Sequence, residues 1–158
     1  MATLTLGIKE NVTIGGTKHS FDTTDASADY EITGVNHVFQ HTLDVLHTGD
    51  MQLVKFHASV ESAGQIKQSN FKYMRVTNND TTNFVVLALQ DATNNYSTNF
   101  KLLAGQSLMF TSLSFDTTDS GVTLGTHAQP SRLAGTAEEV IARANTATCS
   151  LDIFVAYA

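Results

Sequence analysis

Tryptophan is absent from this chain of 158 residues, and cysteine and proline occur once each, as Cys149 and Pro130. A single cysteine excludes an intrachain disulfide, a structural zinc site of the usual Cys-rich type and a CxxC redox pair. Its apolar-strand surroundings predict an inert buried thiol rather than a nucleophile. No stretch approaches the ~18 consecutive apolar residues of a membrane helix. The opening MATLTLGIKENVTIGG lacks a basic segment followed by an apolar block, so no signal peptide is expected. Clustered basic residues are missing as well. The net charge is −6, and the nine Lys and Arg are scattered, which argues against a nucleic-acid partner.

Charge of either sign is scarce. Only 15% of residues are charged, against about 25% in an average domain. Thr, Asn, Ser and Gln fill the polar positions instead. A neutral polar exterior tolerates close approach by other chains, although many β-rich proteins share this composition. The length suits one domain spanning residues 1–158, enough to bury roughly 70% of the surface exposed by the unfolded chain.

What is present is strand pattern. Residues 71–115 read as four short strands separated by polar turns. Val85, Leu87 and Leu89 alternate with Phe84, Val86 and Ala88, making a strand apolar on both faces and suited to the middle of a sandwich or barrel. Asn78 to Asn83 before it, and Asp91 to Asn99 after it, are dense in residues that bond their own backbone and favour turns. Leu4, Leu6 and Ile8 alternate with Thr3, Thr5 and Gly7 as a strand with one buried face. Asn11 to Ile14 continues it or forms a hairpin that ends at Gly15-Gly16. Further strands are expected at Lys18–Phe21, Tyr30–Thr33 and Met51–Val60. Val35, Phe39 and Leu43 are expected on one face of a longer strand. Glu61 to Asn70 reads as a loop. Leu151, Ile153, Val155 and Tyr157 share one face of a closing strand.

Thr136-Ala-Glu-Glu139 fits a capping box leading into a short helix. Alternation of Val140, Ala142 and Ala144 with Ile141 and Arg143 favours a strand there. About ten short strands, turn-rich links and no long helix predict an all-β antiparallel sandwich, a jelly roll being one topology that fits.

Chemistry is harder to find. His37, His41 and His47 fall within eleven residues, but His37 and His41 on one strand stand roughly 13 Å apart at ~3.3 Å per residue and do not share an ion. No GxSxG elbow surrounds a serine, and Gly15-Gly16 and Ala104-Gly105 are turn glycines, not phosphate loops. Glu138 and Glu139 are neighbours that point apart, unsuited to paired acid–base work. Ser20-Phe-Asp-Thr-Thr-Asp25 recurs as Ser114-Phe-Asp-Thr-Thr-Asp119; each copy offers two carboxylates, short of the six to eight oxygens of calcium even with Asp29 added. No catalytic residue, no metal and no cofactor is expected. The sequons at Asn11, Asn79 and Asn95 matter only in a secreted eukaryotic protein.

The run Arg75-Val-Thr-Asn-Asn-Asp-Thr-Thr-Asn-Phe-Val-Val-Leu-Ala-Leu89, followed by Phe100-Lys-Leu-Leu-Ala-Gly-Gln-Ser-Leu-Met-Phe110, resembles small β-sandwich structural proteins of tailed bacteriophage virions. The closing Ala144-Asn-Thr-Ala-Thr148 and the strand after it are similar to their final strand. The resemblance covers about 60 of the 158 residues and rests on strand-and-turn style. It implies a capsid decoration or cement protein, bound to the major capsid protein or other virion proteins, within a virion assembled in the host cytoplasm. A homo-oligomer, a trimer by preference, would multiply contacts on a repeating shell. Tail, fibre or receptor-binding modules share the style, and a carbohydrate-binding sandwich is a further rival weakened by the missing tryptophan. Residues 116–135, about twenty with little periodicity, are the expected contact loop. Its candidates are Asp116, Thr117, Thr118, Asp119, His127, Pro130 and Arg132.

Overall fold

Alternation of apolar Cys149, Leu151, Ile153 and Val155 with Ser150, Asp152, Phe154 and Ala156 places a strand at the centre of the fold, where the first four are wholly buried on one side. Burying each such aliphatic side chain contributes about 1.5–3 kcal/mol. The structure is a computed structural model and describes residues 2–7, 9–14, 16–22, 30–57, 65–91, 96–111 and 138–158.

Among the described residues the elements are β1 (Ala2–Leu6), β2 (Lys9–Ile14), β3 (Thr17–Asp22), β4 (Tyr30–Val35), β5 (His37–Val45), β6 (Met51–His57), β7 (Gln65–Lys67), a 3-10 turn (Gln68–Asn70), β8 (Phe71–Asn78), β9 (Val85–Asp91), β10 (Tyr96–Leu102), β11 (Ser107–Phe110), β12 (Glu139–Ala144) and β13 (Cys149–Tyr157). Four strands lie within residues 71–115 as expected, but of the expected turn Asp91 to Asn99, Asp91 belongs to β9 and Tyr96 to Asn99 belong to β10, paired in register with β9. Within the ambiguous segment Glu139–Ala144 is a strand, with Val140, Ala142 and Ala144 inward, while Thr136 and Ala137 lie outside the described residues.

Two sheets pack face to face. One is ordered β10-β9-β12-β6-β7, the other β11-β8-β13-β5. Leaving aside β7, eight strands follow the order of a jelly roll, each lying in the other sheet from its predecessor except β10, which stays beside β9, and every pairing among those eight is antiparallel. Their inner faces share one core, from Val54, Leu87 and Val140 on the first sheet to Met74, Leu151 and Ile153 on the second.

Part of the outer face of the four-stranded sheet, at Tyr73, Phe154 and Ala156, is covered by the chain's own β1–β4 ribbon. Leu4, Leu6, Ile32 and Val35 pack there on Tyr73, Phe154 and Ala156. β2 and β3 form a separate hairpin, closed at Gly16 with φ +83°. Asn11 to Ile14 thus pairs with Thr17–Asp22 rather than with the first strand, which pairs with β4.

Bulges account for the departures from simple alternation. Lys72 is an extra residue in β8 against β13, so Phe71 turns into the inner core while Tyr73 turns out beneath the ribbon. Leu53 is the extra residue of β6 against β12, and Leu53 and Val54 are both buried. Gly34, φ +75°, is the extra residue of β4 against β1. Just after it, the Asn36 N–H bonds the Tyr157 carbonyl at 2.9 Å and the chain enters a different sheet. Val35 therefore belongs to the outer cluster, whereas Phe39 and Leu43 pack against the inner one. The single long strand expected across them is two. Within the expected loop 61–70, β7 pairs in parallel with β6 and buries Ile66.

Candidate functional site

The connections 46–50, 79–84, 103–106 and 145–148 lie together at one end of the sandwich. Asn78, the only buried polar residue among those described, ties them. Its Nδ2 donates to the carbonyls of Asn83 (2.9 Å) and Leu102 (3.2 Å), and its Oδ1 accepts from the Asp80 N–H (3.1 Å). The Asn78 backbone bonds Gln106 and Gly105, both at 2.9 Å. Asp80 Oδ1 accepts from the N–H groups of Asn83 (2.6 Å) and Thr82 (2.7 Å), which hold its carboxyl below the usual carboxylate range. The Thr146 hydroxyl closes the ring on Asn83 Oδ1 at 2.8 Å. Every polar group of the Asn78 side chain is used internally. This end is a clamp.

Cys149 sits behind it, fully buried, its thiol directed at the carbonyls of Ala147 (3.6 Å) and Phe84 (4.0 Å). Burial, and then the neighbouring Asp80 charge, push the thiol up from its ordinary value.

Among the described residues, no strand covers the outer face of the five-stranded sheet. Cross-strand pairing sets Gln52, Ile141, Ala88 and Asn99 in one row and Arg143, Val86 and Lys101 in the next. Val86, Ala88 and Ile141 form the apolar floor of a shallow depression of about 560 Å³, with Gln90, Ser97 and Asn99 on its rim. Gln52 Nε2 donates to Glu139 Oε2 beside it. Arg143 Nε meets Asp50 Oδ1 at 2.7 Å with both side chains half exposed, an ion pair of about 0.2–1 kcal/mol. Lys101 Nζ lies 4.0 Å over the Phe84 ring. The buried Oδ1 of Asn145, at the edge of the depression, has no hydrogen-bond partner among the described residues. Amides, hydroxyls and a small aliphatic floor offer hydrogen bonds and apolar contact.

The residues singled out from sequence fall elsewhere. Asp116, Thr117, Thr118, Asp119, His127, Pro130 and Arg132 lie outside the described residues, as do Asp29 and all but Ser20, Phe21 and Asp22 of the repeated motif. β11 ends at Phe110 and β12 begins at Glu139, both at the end of the sandwich opposite the clamp. His37 and His41 share a face of β5, where His37 stacks on Tyr157 at 5.0 Å and His41 lies 4.4 Å from Phe39 between ring centres. His47 is in the following turn. Among the described residues no three His, Cys, Asp or Glu are grouped to hold a metal, and no helix is long and apolar enough to cross a membrane. Tyr96 begins β10. The open face escaped the sequence because apolar Val86 and Ala88 opposite an apolar inner row read as core.

Comparison of the chain with protein-family models, with curated proteins and with solved structures gives no match.

Proposed function

We propose that this chain is a structural protein of a virus particle, a decoration or cement protein that stabilises the shell by bridging neighbouring capsid subunits. One observation supports it above the rest. Of the two outer faces of the sandwich, one is covered in part by the chain's own ribbon, while the other carries a shallow depression with an apolar floor, an amide and hydroxyl rim and the paired charges of Arg143 and Asp50 beside it. A surface of that kind suits a contact of about 800 Å² per partner without an unpaired buried charge. Its chemistry is adhesion rather than turnover. Residues 116–135 are proposed to add to this contact.

The experiment is quantitative mass spectrometry of purified particles from the source, counting this chain against the major capsid protein. Hundreds of copies per particle support decoration. A handful would assign it to the tail or neck, and absence would overturn the virion proposal.

A further inference from the structure

The four-stranded sheet ends in β5, nine residues long and paired to β13 in unbroken register. Among the described residues nothing pairs with its other edge. Long regular edges invite pairing with another chain, and proteins commonly block them with lysine, proline, a bulge or short length. β5 has none of these. The other three edges of the two large sheets do: β7 has three residues, β11 has four, and β10 carries Lys101. Exposed large apolar residues also mark this edge, Val38 at 55% and Leu46, just past its end, at 52%.

We propose that β5 pairs with β5 of a second copy, antiparallel about a two-fold axis at Thr42, joining two four-stranded sheets into one of eight. The strand is self-complementary in that register. On the outer face Val38 meets the partner's Leu46, Gln40 meets the partner's Asp44, and Thr42 meets its own copy. Apolar thus faces apolar, an amide faces a carboxylate, and hydroxyl faces hydroxyl, each twice or on the axis. On the inner face the half-buried Phe39 and Leu43 gain cover at the seam. The one carboxylate of the seam, Asp44, faces an amide rather than another carboxylate, and His37 at the strand's start faces the partner's His47. The pairing is isologous and so favours a dimer over the trimer expected from sequence. It does not depend on a virion role.

Sedimentation velocity of the whole chain tests it, with circular dichroism to confirm that each variant keeps its fold. The wild type is expected at twice the chain mass. Gln40→Glu sets two carboxylate pairs across the seam and should weaken the dimer about tenfold, and Gln40→Lys should tighten it by a similar factor. Met109→Lys, on the opposite edge, should change nothing. A monomeric wild type at about 100 μM would overturn the proposal, since that limit excludes specific pairing of useful strength. Equal effects of the two Gln40 variants would overturn the register. A trimer or larger ring lost in Met109→Lys would replace it with head-to-tail pairing of β5 with β11.

Discussion

The side-chain amide of Asn78 reaches 2.9 Å to the carbonyl oxygen of Asn83, bridging the turn that carries the chain from one sheet to the other. The same nitrogen holds Leu102 at 3.2 Å, so one buried side chain fixes two connections. Asn78→Ala would leave two carbonyls and the Asp80 N–H without partners. A stability loss of about 2–3 kcal/mol is expected, read from urea unfolding midpoints. A loss under about 0.5 kcal/mol would show that water replaces the amide at no cost.

Asp80 makes the clamp pH-dependent. Its carboxyl is held low by the Asn83 and Thr82 N–H groups, so its folded value lies beneath its unfolded one. Ionised Asp80 therefore adds stability above the unfolded value, and that increment is lost as pH falls through the folded value. Asp80→Asn should be less stable than wild type at pH 7, and the gap should close below about pH 4. Paired urea titrations from neutral to acid pH measure it; a gap independent of pH would assign the loss to shape.

Cys149 should resist thiol reagents in the native protein. Its sulfur is buried and its ionisation is disfavoured by burial and by Asp80. Labelling with an aromatic disulfide reagent should proceed only as fast as the clamp opens, and become immediate in denaturant. Fast native labelling would mean that this end of the sandwich opens far more readily than its hydrogen bonds suggest.

Gly34 gives a test of the ribbon. A Cβ there would meet nothing within 4 Å, so Gly34→Ala is strained only through its φ of +75°. About 1–2 kcal/mol of local stability should go. Amide exchange at Leu4 and Ile32 should accelerate, while exchange at Leu87 stays unchanged. Uniform acceleration would mean that ribbon and sandwich open together.

The open face can be tested without disturbing the core. Ile141→Asp puts a charge on the floor of the depression, where it opposes an apolar contact. Binding to empty capsid shells in a co-sedimentation assay should fall at least tenfold, with the thermal midpoint shifted by only a few degrees. Undiminished binding would remove this face from the proposed contact.

Most strands were legible because one-sided burial writes a period of two, as in Leu151, Ile153 and Val155. Bulges were not. Nothing in Phe71-Lys72-Tyr73 or Gln52-Leu53-Val54 marks the extra residue that exchanges faces, since its cause is the partner strand's register. The break at Asn36 was hidden for a similar reason: Val35, Phe39 and Leu43 are all apolar, but each answers to a different layer. β7 is too short for any period to show. The surfaces were harder still. Val86 and Ala88 are apolar whether a layer covers them or not, and an edge strand such as β5 differs from a central one only by which neighbour is missing.

β13 lies between β8 and β5 in its sheet, yet it is translated after both. Thr42 and its hydrogen-bond partner Asp152 are 110 positions apart. While the ribosome is still adding the residues between, β5 and β8 have been made without the strand that joins them. Their apolar faces and unpaired backbone must wait, exposed to chaperones and to each other's copies. Assembly of this sheet is thus a late and concerted event in the life of the chain, and its yield in the cell will be set by how well the waiting strands are kept apart.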